Sequence, residues 1–197
     1  MTSESHVVAE EPSVDLAIVL AMVEELEEYI VKEDLFRTVI LRTPRGEVRI
    51  QMTGGDLLTR LHRLAVDKHR LSPEQQAQAA HAAQEADRII YSLKSRFNQR
   101  LQREMKSRLD SLRWFLDDVA DDSDRARTNY PYEIRNRQRV EEIITRLGGD
   151  LPEELAGQLA AVDRRLRGLV AGSEFVWDPS LRDVFPRQPY WFLYAGV

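Results

Sequence analysis

From Glu74 through Tyr130 the chain contains neither glycine nor proline. Along this run Ala79, Ala83, Ala86, Ile90, Leu93, Phe97, Leu101, Met105, Leu109, Leu112, Leu116 and Val119 recur at intervals of three and four. That spacing places side chains on one face of an α-helix. Read as one rod of about 48 residues, the segment measures roughly 70 Å. A compact globule of this chain length has a radius of gyration of about 16 Å and a diameter of roughly 40–45 Å. The two lengths conflict, so the helix either bends or projects beyond its own domain and is covered by another chain. Leu93, Phe97, Leu101, Met105 and Leu109 are each four apart, a spacing that drifts off a heptad seam. A globular bundle fits this drift better than a long two-stranded coiled coil.

The other elements follow from local signals. Residues 1–12 are polar and without apolar period, and a flexible tail is expected there. Ser13 is expected to cap a helix to about Lys32, with Leu16, Val19, Val23, Leu26 and Ile30 as its apolar stripe. A β-hairpin is expected over 36–52, where two β-rich runs flank Thr43-Pro44-Arg45-Gly46. Pairing Arg42 with Glu47 puts Val39, Leu41, Val48 and Ile50 on one face. Thr38, Ile40, Arg42, Arg49 and Gln51 then share the other. A lone hairpin is marginal in water, so this one must lie on a helix or on a partner's sheet. Asp56 in "TGGD" is a candidate cap for the next helix, which runs to about Arg70. Ser72-Pro73-Glu74-Gln75 is a capping-box start for the long helix. Pro131 is expected to open a helix closed by Gly148-Gly149, and Pro152 another closed by Gly172. Residues 173–197 hold three prolines and seven of the fifteen aromatics and cannot form a long helix. The expected fold is mostly α. It is a bundle of about five helices including one very long helix, with a β-hairpin after the first helix and an irregular aromatic C-terminal strap. Residues 13–172 form the single helical domain in this reading.

Composition narrows the class of protein. There is no cysteine, so disulfide scaffolds, thiolate metal sites and cysteine nucleophiles are excluded. The longest apolar run, Leu16 to Val23, is far too short to span a bilayer, and the residues before it are acidic where a signal peptide would be basic. A cytoplasmic protein without membrane contact is expected. The net charge of −5 argues mildly against general nucleic-acid binding, but its distribution is uneven. Acidic residues dominate from Glu10 to Asp34, and basic ones from Lys94 to Arg113. Aspartates follow, and then arginines again. Alternating blocks of this kind suit helices that pair by complementary charge.

Three groups of residues can carry a function. The first is the tail: Trp177, Phe185, Tyr190, Trp191, Phe192 and Tyr194 must be buried somewhere, either on the chain's own helices or as anchors in a partner. The second is basic: Arg96, Arg100, Arg103, Lys106 and Arg113 on the long helix, with Arg42, Arg45 and Arg49 on the hairpin, can follow phosphates without reading sequence. The third is acidic: Asp117/Asp121 and Asp118/Asp122 are four apart and can share a Mg²⁺ ion through oxygen ligands. Carboxylates at a helix C-terminus oppose the macrodipole, so arginines 125 and 127 can compensate them equally well. Glu24/Glu27 and Glu25/Glu28 are also paired, but no second Glu-x-x-Asp pair follows. His62, His69 and His81 have no carboxylate in register, and two glycines alone do not make a phosphate loop. No serine–histidine–aspartate arrangement is recognisable. The expected function is a non-catalytic cytoplasmic scaffold or adaptor acting through protein partners and self-association, with no cofactor and no small-molecule ligand. The alternatives are a nucleic-acid-associated protein using the basic helix and hairpin, and a Mg²⁺-dependent helical hydrolase using the aspartates.

Overall fold

A computed structural model describes residues 11–32, 34–43, 46–120, 123–169 and 174–194. The elements in chain order are α1 (Pro12–Glu24), α2 (Leu26–Val31), β1 (Arg37–Thr43), β2 (Gly46–Met52), α3 (Gly54–Val66), α4 (Pro73–Ser92), α5 (Lys94–Asp118), α6 (Ser123–Glu133), α7 (Arg135–Leu147) and α8 (Glu153–Leu169). The fold is mostly helical, with an antiparallel hairpin after the first helical stretch and an aromatic cluster near the C-terminus, as the sequence leads one to expect. Among the described residues no helix is long and apolar enough to cross a membrane. The chain forms two compact units, one ending at Glu104 and one beginning at Met105, and α5 contributes to both.

In the N-terminal unit the first helix begins one residue before the expected cap. Glu11 occupies the cap position and Pro12 the first turn, where its missing N–H and preset φ carry no penalty. Leu16, Val19, Val23, Leu26 and Ile30 are buried as the periodicity requires, and the helix is interrupted at Glu25. The hairpin register pairs Arg42 with Glu47 and Val39 with Ile50. Val39 and Met52 are buried on the inner face, while Thr38, Ile40, Arg49 and Gln51 are exposed on the outer one. Arg37 lies on the inner face and donates through Nε to Glu25 Oε2 at 2.8 Å, with Glu28 also in contact.

The cap of α3 is Thr53, not Asp56: the Thr53 hydroxyl accepts from the Asp56 N–H at 3.1 Å. Both residues have cap chemistry, but Thr53 is the one in extended backbone immediately before the first turn. Gly54 is required by packing, because a Cβ there would stand 2.6 Å from Leu101 Cδ2. After α3 a short 3₁₀ turn over Asp67–Arg70 replaces the expected last turn of helix. Ser72 and Gln75 then form the capping box of α4, each side chain bonded to the other's backbone N–H.

The long apolar run is two helices. Leu93 leaves helical geometry (φ −118°, ψ 25°), although its N–H still reaches the Ile89 carbonyl and its own carbonyl accepts from Phe97. The Ser92 hydroxyl also donates to the Ile89 carbonyl, at 2.8 Å. A side chain competing for a carbonyl of the preceding turn is a recognised cause of helix bending.

In the C-terminal unit, Met105, Leu109, Leu112, Leu116 and Val119 continue the α5 stripe into a second core. Pro131 does not open a helix; it lies inside α6, which begins at Ser123, and the break comes at Ile134. Proline removes one ladder hydrogen bond from the helix interior, and chain flow changes within the next turn. Gly148, at φ 53°, ends α7 where an L side chain would be strained. The strap closes over this unit. Phe175 bridges Tyr194, and the Val176 N–H donates to the Leu193 carbonyl at 2.9 Å.

Candidate functional site

Among the described residues, buried charged side chains gather into networks in both units. In the N-terminal unit, α3 starts with free backbone N–H groups that need acceptors. Glu104, fully buried on α5, supplies them: it accepts from the Gly55 N–H at 2.9 Å and from the Thr53 hydroxyl at 2.7 Å. The Gly54 N–H donates to the Tyr29 hydroxyl at 3.0 Å. Burial, with the Glu104 carboxylate nearby, pushes the Tyr29 phenol above its ordinary value, so it remains a donor, here towards the Leu35 carbonyl. Arg100 lies over the Tyr29 ring at 4.0 Å and donates to the carbonyls of Lys32 and Asp34, satisfying the chain just beyond α2. On the other side of α3, buried Asp15 joins Arg60 and Arg63, the latter at 3.0 Å.

The second network lies in the C-terminal unit. Arg137 grips Asp163 with both arms of its fork, at 2.7 and 3.1 Å, and reaches Glu141 at 2.8 Å. Burial works against its charge, yet these carboxylates hold the guanidinium above its ordinary pKa. The same group sits 4.6 Å from the Phe192 ring. Tyr190 donates to Glu142 at 2.7 Å, its phenol raised by burial and by that carboxylate. Tyr130, raised by burial, donates to the Phe192 carbonyl at 2.8 Å, and the Trp177 indole donates to the Pro131 carbonyl at 2.7 Å. The Tyr190, Tyr130 and Trp177 bonds fasten the strap to α6 and α7, and the Arg137–Asp163 pair joins α7 to α8.

The proposed anchors of the tail therefore lie on the chain's own helices. Trp177, Phe185, Tyr190 and Phe192 are buried; Trp191 and Tyr194 are half-buried. Trp191 lies beneath Arg167 at 3.9 Å, and the Tyr194 hydroxyl donates to the Phe185 carbonyl at 2.9 Å.

The basic residues separate. Arg100 is buried in the Tyr29–Glu104 network. Arg96, Arg103, Lys106 and Arg113 are exposed, and Arg113 pairs with Asp110 at 3.2 Å. Arg49 is exposed on the hairpin's outer face; Arg45 and the Arg42 side chain lie outside the described residues. Of the aspartates, Asp117 pairs with Arg165 at 2.7 Å and Asp118 with Arg125 at 2.9 Å. Asp121 and Asp122 lie outside the described residues. Among those described, no group of three or more histidine, aspartate or glutamate side chains is placed to hold a metal ion.

The N-terminal unit has one further feature. A groove of about 240 Å³ opens between Ile30, Val31 and Lys32 at the end of α2 and Arg96, Gln99, Arg100 and Arg103 on α5. Sequence reasoning named the three arginines but not their meeting with Lys32. The α5 residues follow an i, i+3, i+4, i+7 pattern, which was legible. What stands opposite that face was not. Asp15, Glu104 and Arg137 were missed as network centres, since lone charges on amphipathic helices read as solvated. No family model, curated protein or solved structure matches the chain.

Proposed function

We propose that the protein is a non-catalytic scaffold or adaptor that self-associates through its hairpin. The observation that carries this reading is the bare β1–β2 ladder. Among the described residues it has no third strand on either edge. The hairpin carries exposed apolar side chains: Ile40 is 50% exposed and Val48 46%, with Phe36 at 52% just before β1. Open edges of this kind are templates for pairing with another chain.

The β2 edge is self-complementary. An antiparallel two-fold pairing of β2 with its copy, centred on Val48, sets Val48 opposite Val48. It also sets Glu47 opposite Arg49 of the second copy, and the reverse. Opposite charges directly across strands stabilise a pair, and an isologous contact closes after two subunits. The ion pairs of Asp117 and Asp118 with arginines support charge balance at the end of α5 rather than hydrolase chemistry.

Light scattering coupled to size exclusion tests the reading. The native chain is expected to run as a dimer. R49E places glutamate against glutamate and shifts it to monomer, and the swap E47R/R49E restores the dimer. A native chain that stays monomeric at high concentration, or a swap that restores nothing, rejects it.

A further inference from the structure

The groove between α2 and α5 is lined by four cationic side chains, Lys32, Arg96, Arg100 and Arg103. Arg96 and Arg103 are exposed at its rim, and among the described residues neither has an ion-pair partner. Arg100 lines the same groove and is 1% exposed, and its Nε–H has no hydrogen-bond partner in the structure. Glu28 on α2 is engaged with Lys32 and Arg37, Glu104 on α5 with the start of α3, and Asp34 is exposed just beyond Lys32. The carbonyls at the end of α2 would repel an anion, but Arg100 already covers those of Lys32 and Asp34. Arg100 is buried with one idle donor, and Arg96 and Arg103 beside it have no ion-pair partner among the described residues, so the positive charge gathered here is open to an anion.

We propose that this groove binds a phosphate monoester, with Arg96 and Arg103 gripping its terminal oxygens and Arg100 as the charged floor. A single carboxylate answers one guanidinium fork, whereas a dianion with three terminal oxygens answers several at once. Lys32, whose side chain is 55% exposed and shared with Glu28, adds positive charge at the rim. Gln99 offers an amide donor. Ile30 and half-exposed Val31 form an apolar wall, which suits the carbon body of an ester better than bare phosphate. The ester can come from a small molecule or from a phosphorylated side chain of a protein. This site shares no residue with the hairpin edge and is independent of the assembly state.

The test titrates the full chain with inorganic phosphate, phenyl phosphate, a phosphoserine peptide and single-stranded DNA of several lengths, followed by calorimetry. One saturable site is expected, with phenyl phosphate tighter than inorganic phosphate. R96E/R103E changes two exposed residues without ion-pair partners among the described residues, so the fold, checked by circular dichroism, is kept while affinity falls by about tenfold or more. The control K106E/R113E makes the same change in charge outside the groove and keeps the affinity. A peptide that binds more tightly than phenyl phosphate supports the site with a protein as its carrier; equal affinities support it with a free ester. The proposal is overturned by any of three results: no saturable binding up to about 20 mM, equal losses in both double variants, or binding seen only with single-stranded DNA and growing with its length.

Discussion

At the scale of single residues, Gly54 shows how one missing carbon positions a whole helix. Its Cα lies close enough to α5 that a Cβ would stand 2.6 Å from Leu101 Cδ2 and 3.4 Å from a Glu104 oxygen. Gly54→Ala must therefore push Leu101 aside or draw Glu104 away from the Gly55 N–H. Overpacking of this kind costs about 1–3 kcal/mol, and the loss is read from urea unfolding. Glu133 provides a pH-dependent counterpart. Burial raises its carboxyl above the ordinary carboxylate range. A folded-state pKa above the unfolded value means that the charged form is penalised in the fold. The penalty is present at neutral pH and fades as the pH falls through the folded-state pKa. Glu133→Gln, which carries no charge, is expected to raise the melting temperature at pH 7, and the gain over the native chain should vanish below about pH 4. A difference that does not change with pH would mean that the carboxyl pays no such penalty.

Elements were legible where a residue's own backbone chemistry decides the outcome. The hairpin register, the Ser72 capping box and the stop at Gly148 all follow from local constraints, and all are observed. The Leu93 break was not legible, because neither glycine nor proline marks it; serine, which does, is common on helix surfaces. Pro131 misled in the opposite direction. Its fixed φ is compatible with helix, and the Pro131 carbonyl, close to the end of α6, accepts from the Trp177 indole. The burial of Glu104 and Arg100 depends on what α3 and α2 place opposite them, and no pattern within α5 carries that information. The same holds for the groove: the spacing of Arg96, Gln99, Arg100 and Arg103 was readable, but its opposing wall from α2 was not. The aromatic tail lay between these cases, since its need for burial was clear and its choice of helices was not.

At the scale of the whole molecule, α5 contributes side chains to two cores. Phe97, Leu101 and Glu104 serve the N-terminal unit, and Met105, Leu109 and Leu112 serve the C-terminal one. Backbone hydrogen bonds between successive turns run across the boundary within one unbroken helix. Unfolding either unit leaves half of α5 with its buried stripe exposed, and a helix segment without tertiary support is marginal. The two units are therefore expected to unfold together. The chain carries its own reporter for this, because Trp114, Trp177 and Trp191 all follow Met105 and none precedes it. Tryptophan fluorescence thus follows the C-terminal unit, while far-ultraviolet circular dichroism follows every helix. Gly54→Ala perturbs only the N-terminal unit directly. If α5 couples the cores, this substitution lowers the urea midpoint seen by fluorescence as much as the midpoint seen by circular dichroism, by roughly 1 M or less. If fluorescence keeps its native midpoint while circular dichroism shows an earlier step, the units unfold independently, and α5 is a covalent link between two autonomous cores rather than a shared structural member.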